Sequence, residues 1–278
     1  MNAYFYLLRL NRPLPILIIL WPTLWALFSA GSDFPSVKII FIFVMGVLLM
    51  RTAGCVFNDI ADRKFDAQVK RTEHRVIATG VVSVKSAAIV GILLLLCAFS
   101  LVLFLNQFTI FLSVVGLLLA LTYPFFKRFF MLPQLVLGCA FNFGVIMAYA
   151  ARTNSISFEA WLMYLACILW TLAYDTMYAL ADKPYDIKLG LKSSAITFGR
   201  YIGKIIAASQ ALMLILLAEF GYCNGYNRWF YMALIVCIIL FYCQYQFWRS
   251  QTIAGCIRAF SDNHWVGLVV FIAILLQG

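Results

Sequence analysis

Apolar runs of about twenty residues recur along the whole 278-residue chain, and they leave few architectures open. A helix needs roughly 20 predominantly apolar residues to cross a hydrocarbon core of ~30 Å. Hydrophobic residues make up 64 % of the chain and charged residues 12 %, about half the ~25 % charged of an ordinary soluble domain. No soluble core could hide that much apolar surface, so the chain reads as an all-α polytopic membrane protein, a single domain over residues 1–278. The expected spans are Pro13–Ala30, Val37–Phe57, Lys85–Leu105, Phe108–Tyr123, Pro133–Ala150, Phe158–Leu180, Gly203–Tyr222, Trp229–Phe247 and Trp265–Leu276, the fourth and ninth of them short.

The net charge of +10 fits membrane topology better than nucleic acid, for which no motif is present. If the N-terminus is cytoplasmic, Arg9, Arg12, Arg63, Lys64, Lys70, Arg71, Arg75, Lys127, Arg128, Lys183, Lys188, Lys192, Arg200, Arg249 and Arg258 all fall on the cytoplasmic side, and the opposite loops hold only Lys38, Arg152 and Arg228. That asymmetry follows the positive-inside rule. No cleavable signal or transit peptide is evident, so a bacterial inner membrane is expected. The eight cysteines show no C-x-x-C spacing and read as small buried hydrophobes.

Two cytoplasmic connections are expected to be long, about 58–84 and 181–202, with a third at about 248–264. The acidic residues gather at the first two. Of eleven Asp and Glu residues, Asp59, Asp62, Asp66 and Glu73 lie in or beside the first, and Asp175, Asp182 and Asp186 in or beside the second. If the second span continues as helix, Asp59, Asp62 and Asp66 share one face at i, i+3 and i+7. Asp175, Tyr178 and Asp182 repeat that spacing, and Pro184 is expected to end or kink their helix before Asp186. Like charges so placed want a cation. Mg²⁺ takes oxygen ligands, commonly one or two carboxylates plus substrate phosphates. The expected metal ligands are Asp62, Asp66, Asp182 and Asp186. Asp59 and the intramembrane Asp175 belong to the same acidic centre. The competing reading is solvated loop acids; two D-x-x-x-D elements, each at the end of a span, argue against it.

Arg51 lies seven residues before Asn58, on the same helical face two turns deeper. Its planar fork suits a carboxylate or a phosphate, or it pairs with one of the acids. Arg71, Arg75, Lys188, Lys192 and Arg200 can hold diphosphate oxygens. Ser193 and Ser194 read as the start of a short helix. By composition Tyr123 to Lys127 is an aromatic interface belt with a snorkelling Lys.

These motifs carry a resemblance. The segments 9–26 (RLNRPLPILIILWPTLWA), 51–66 (RTAGCVFNDIADRKFD), 71–80 and 174–199 (YDTMYALADKPYDIKLGLKSSAITFG) are similar to those of the membrane-bound aromatic prenyltransferases, and most of all to the branch that acts on 4-hydroxybenzoate in ubiquinone biosynthesis. The chain departs from that family at Val76, where Pro is usual, and at Pro184 and Tyr185, where more acid is usual. The resemblance implies a bundle of nine spans around a central cavity with cytoplasmic caps. It implies Mg²⁺ as cofactor, a polyprenyl diphosphate as donor and 4-hydroxybenzoate as acceptor. It assigns Tyr123 and Lys127 to a Y-x-x-x-K element at the diphosphate, and makes Arg51 the candidate for the acceptor's carboxylate, with Asn58, Tyr178, Arg71, Lys188 and Lys192 also binding substrate. The rivals are the same superfamily with another acceptor, and a cation-coupled transporter. Acids clustered at one interface rather than at the midplane favour the enzyme.

Overall fold

The computed structural model describes residues 3–11, 14–69 and 72–277. Arg12, Lys70 and Arg71, and with Arg71 one expected substrate ligand, lie outside them. Twelve α-helices follow in order: α1 Ala3–Leu7, α2 Leu14–Ser29, α3 Val37–Asp66, α4 Val84–Val102, α5 Gln107–Phe126, α6 Pro133–Thr153, α7 Phe158–Lys188, α8 Ser194–Thr197, α9 Ile202–Cys223, α10 Arg228–Trp248, α11 Ile253–Ser261 and α12 Asn263–Leu275. No strand occurs among the described residues. Among the described residues, eight helical segments are long and apolar enough to cross a membrane, and α2 is a shorter apolar ninth.

The spans begin where the sequence offers caps. Ser36, Ser83, Asn106, Ser157, Asn227 and Thr252 each precede a helix in extended backbone, and each side chain accepts a hydrogen bond from a first-turn N–H. These donors have no carbonyl partner within the helix, so each cap contributes about 1 kcal/mol.

Four expectations need correction. The fourth span is not short, since α5 has 20 residues. The second span does not stop with its apolar run: α3 continues from Phe57 to Asp66. Pro184 does not end the sixth span, because α7 runs through it to Lys188. Proline removes only its own N–H bond, to the carbonyl of Leu180. The helix closes later, where Gly190 at φ +66° lets the Leu191 N–H reach the Asp186 carbonyl at 2.9 Å. Both connections are therefore shorter than expected. The third connection is not a plain loop, for it contains α11, which buries Cys256 and Ala259.

At the centre stands α7, the most buried of the spans, packed against α6, α9 and α11. Trp170 on α7 stacks on Trp25 of α2 at 5.3 Å between ring centres and donates to Asn263 Oδ1 at 2.8 Å. Trp25 donates to the Gly267 carbonyl of α12 at 2.9 Å. Asn142 on α6 donates to Thr171 Oγ1 at 2.8 Å and to the Cys167 carbonyl at 3.1 Å. At Gly138 an added Cβ would stand 3.2 Å from the Ile168 carbonyl oxygen. Lipid gives helices little hydrophobic reason to associate, so small residues and polar bonds of this kind do the joining.

Candidate active site

The site follows from the two helices that outrun their apolar segments. The extension of α3 carries Asn58, Asp62, Phe65 and Asp66 on one face, and the end of α7 carries Asp175, Tyr178, Asp182, Tyr185 and Asp186. All of them line one polar cavity of about 280 Å³. Tyr123, Lys127, Gln134, Arg75, Lys192 and Ser193 complete its wall. The carboxylate pairs expected from the two D-x-x-x-D elements are thus brought to a common space. Asn58, Tyr123, Lys127, Tyr178 and Lys192 join them there. Lys188 is exposed at the end of α7 and lies off that wall.

The acids of α3 are buried, with Asp59 and Asp62 3 % exposed and Asp66 7 % exposed, and cations balance them. Arg9 grips Asp59 with one nitrogen at 2.8 and 2.9 Å from its two oxygens. Arg75 reaches Asp59 at 3.0 Å and Asp66 at 2.7 Å. Lys127 is hydrogen-bonded to Asp62. The lysine read from composition as an interface residue therefore turns inward. Asp59 stands outside the polar cavity's lining, behind its companions.

Two contributors carried no local spacing signal that marks them as site residues. Arg9 looked like a topology residue, yet its backbone sits at φ +56°, a conformation that costs an L-residue about 1–2 kcal/mol, and its side chain is tied to Asp59. Gln134, one residue into α6, accepts from the Ser194 N–H at 2.9 Å and lines the same cavity as Asp175. Lys192 donates its backbone N–H to the Lys127 carbonyl at 2.7 Å, which latches the loop after α7 to the end of α5.

Among the described residues, no three Asp, Glu, His or Cys side chains converge closely enough to hold a metal ion unaided. The oxygen donors still fit Mg²⁺. Asp62 Oδ1 is buried with no hydrogen-bond partner, and the facing pairs supply the one or two carboxylates that Mg²⁺ takes, with phosphate oxygens and water filling the other positions.

A second cavity of about 290 Å³ meets the first at Tyr123 and Asp175, which line both. It is apolar, and runs between α2, α3, α4, α5 and α6 as far as Leu105. Arg51 lies on its wall, its Nη1 buried without a hydrogen-bond partner. A polar chamber of carboxylates and cations thus adjoins an apolar channel with one guanidinium in its wall. That is an arrangement for a molecule with a charged head and a long hydrocarbon tail.

The comparisons with known proteins agree. The chain matches the UbiA prenyltransferase family over residues 19–275, and it belongs to that family: it is a membrane prenyltransferase. Its relatives include the 4-hydroxybenzoate octaprenyltransferases of Francisella tularensis subsp. novicida (strain U112), 50 % identical over all of this chain and 98 % of that one, and of Serratia proteamaculans (strain 568), 48 % identical over 99 % and 95 %. The fold is that of a UbiA homologue from Aeropyrum pernix K1, with a TM-score of 0.81 at 24 % identity over 94 % of this chain and 96 % of that one. It is also that of a UbiA homologue from Archaeoglobus fulgidus bound to GPP and Mg²⁺, with a TM-score of 0.72 at 16 % identity over 99 % and 100 %.

Proposed function

We propose that the protein transfers a polyprenyl group from its diphosphate to the ring carbon of 4-hydroxybenzoate ortho to the hydroxyl, with Mg²⁺, as a step of ubiquinone biosynthesis. The observation that carries this reading is the pair of facing carboxylate elements, Asp62/Asp66 and Asp182/Asp186, at the mouth of an apolar channel. Full-length relatives at 48–50 % identity named for this acceptor support the choice of substrate.

In this mechanism Asp62, Asp66, Asp182 and Asp186 hold the metal. Bound Mg²⁺ would neutralise the diphosphate as its bond to C1 breaks. Lys127 and Lys192 take phosphate oxygens, and the channel takes the tail. The C1–O bond breaks with its electron pair leaving on the diphosphate, which makes an allylic cation. The ring carbon ortho to the hydroxyl attacks C1 with a π pair. Loss of that carbon's proton restores aromaticity, and Asp175, at the junction of the two cavities, is the proposed acceptor. Arg51 binds the acceptor's carboxylate, for a guanidinium in an apolar wall needs an anion. The apolar walls keep water from the cation.

The test is an assay in washed membranes with radiolabelled 4-hydroxybenzoate and a polyprenyl diphosphate. Lipid-extractable label should require Mg²⁺ and vanish in Asp62→Ala and Asp182→Ala. No product from folded protein over a panel of chain lengths would remove 4-hydroxybenzoate as the acceptor. Full activity in both variants would remove the metal mechanism.

A further inference from the structure

The apolar channel is walled mostly by large aliphatic and aromatic side chains with four glycines among them, and these glycines differ in what stands beside them. At Gly144 an added Cβ would meet Thr23 Oγ1 at 2.6 Å, and at Gly116 it would meet Phe143 at 3.0 Å. These two glycines are small because a neighbour fills the space. Gly46 and Gly54, both on α3, also line the channel, yet no atom lies within 4 Å of where their Cβ would be. A side chain at either position would enter the channel itself rather than another helix.

Their depths differ. At 1.5 Å of rise per residue, Gly54 lies about 12 Å and Gly46 about 24 Å along α3 from Asp62. With carbon–carbon bonds of roughly 1.5 Å, the four chain carbons of an isoprene unit advance about 5 Å when extended. A tail running down α3 from a diphosphate at Asp62 therefore passes Gly54 at its second or third unit and Gly46 near its fifth. Interior glycine costs a helix up to about 1 kcal/mol relative to alanine, so two bare positions facing open space call for a reason other than packing.

We infer that Gly54 and Gly46 are specificity residues for prenyl chain length: their missing side chains keep the channel open at two successive depths. The inference rests on the prenyl-transfer reading above. Each position acts as a stop when filled, and the depth of the filled position decides which donors are excluded.

The experiment compares wild-type, Gly54→Leu and Gly46→Leu membranes with geranyl, farnesyl and octaprenyl diphosphates and 4-hydroxybenzoate. Gly46→Leu should lower the ratio of octaprenyl to geranyl transfer at least tenfold and leave the farnesyl to geranyl ratio near the wild-type value. Gly54→Leu should lower both ratios at least tenfold. Thermal unfolding of each purified variant checks the fold, and Gly46→Ala and Gly54→Ala, with smaller shifts in the same order, carry the test if leucine unfolds the chain. Unchanged ratios in folded variants, or an equal loss with every donor, would overturn the inference and leave prenyl transfer standing. A wild-type enzyme that prenylates nothing would overturn both.

Discussion

Asp59, Asp62 and Asp66 share one face of α3 but have different partners, so neutralising them should have different consequences. Both Asp59 oxygens are held by guanidinium groups, those of Arg9 and Arg75. Asp59→Asn leaves the partly buried Arg9 without its carboxylate and Arg75 with Asp66 alone, which costs roughly 3 kcal/mol. In detergent, thermal unfolding should fall by about 5–10 °C, with or without Mg²⁺. Asp62 instead keeps a bare buried oxygen and pairs with the ammonium of Lys127, a side chain 26 % exposed. Asp62→Asn should therefore unfold close to the wild-type temperature. It should lose activity at least a hundredfold, together with the stabilisation that Mg²⁺ and a prenyl diphosphate give the native state by mass action. Equal thermal stability of Asp59→Asn and wild type would mean that Arg9 and Arg75 are not structural partners of Asp59.

At the scale of helices, much was legible in the sequence and the remainder has a physical explanation. Apolar runs mark where lipid is, and they located the starts of nine spans to within a few residues. They do not mark where a helix stops, because α3 and α7 leave the apolar layer and continue as polar helix. The i, i+3, i+7 spacing was enough to put the carboxylates on common faces. Arg9 and Gln134 remained hidden because their partners, Asp59 and Ser194, are 50 and 60 residues away, and such contacts leave no local pattern. The role of a glycine was hidden for the same reason, as composition cannot distinguish contact from open space. This distinction predicts opposite responses to one methyl group. Gly138→Ala pushes Cβ to 3.2 Å from the backbone of α7, and overpacking a helix contact costs about 1–3 kcal/mol. Gly54→Ala meets nothing and gains up to about 1 kcal/mol of helix propensity. Thermal midpoints should fall by several degrees for Gly138→Ala and stay level or rise for Gly54→Ala. A shift in the same direction for both would refute the contrast between packed and open glycines.

For the whole molecule, the question is which side of the membrane the site faces. The loops after α3, α5 and α7 come together at the polar cavity, and the Lys192 to Lys127 backbone bond joins two of them. They must therefore share one side. The turn between α6 and α7 lies at the opposite ends of its helices, and there Arg152 is held by the carbonyls of Ala30 and Asp33. That basic residue helps to close the far end of the bundle, and the Lys and Arg bias is concentrated around the site, which should face the cytoplasm. The expectation can be checked in intact cells with single cysteines in a background without the eight native ones. His74→Cys, on an exposed side chain in the loop after α3, should react with a membrane-impermeant maleimide only after the membrane is opened. Ser155→Cys, exposed between α6 and α7, should react from outside at once. The reverse pattern would place the carboxylates on the outer face, and the charge argument would then be wrong. Adding Mg²⁺ and a prenyl diphosphate to opened membranes should slow the labelling of His74→Cys if the loop that carries Arg75 tightens over the diphosphate, and leave Ser155→Cys unaffected, because that turn lies across the bilayer from the site.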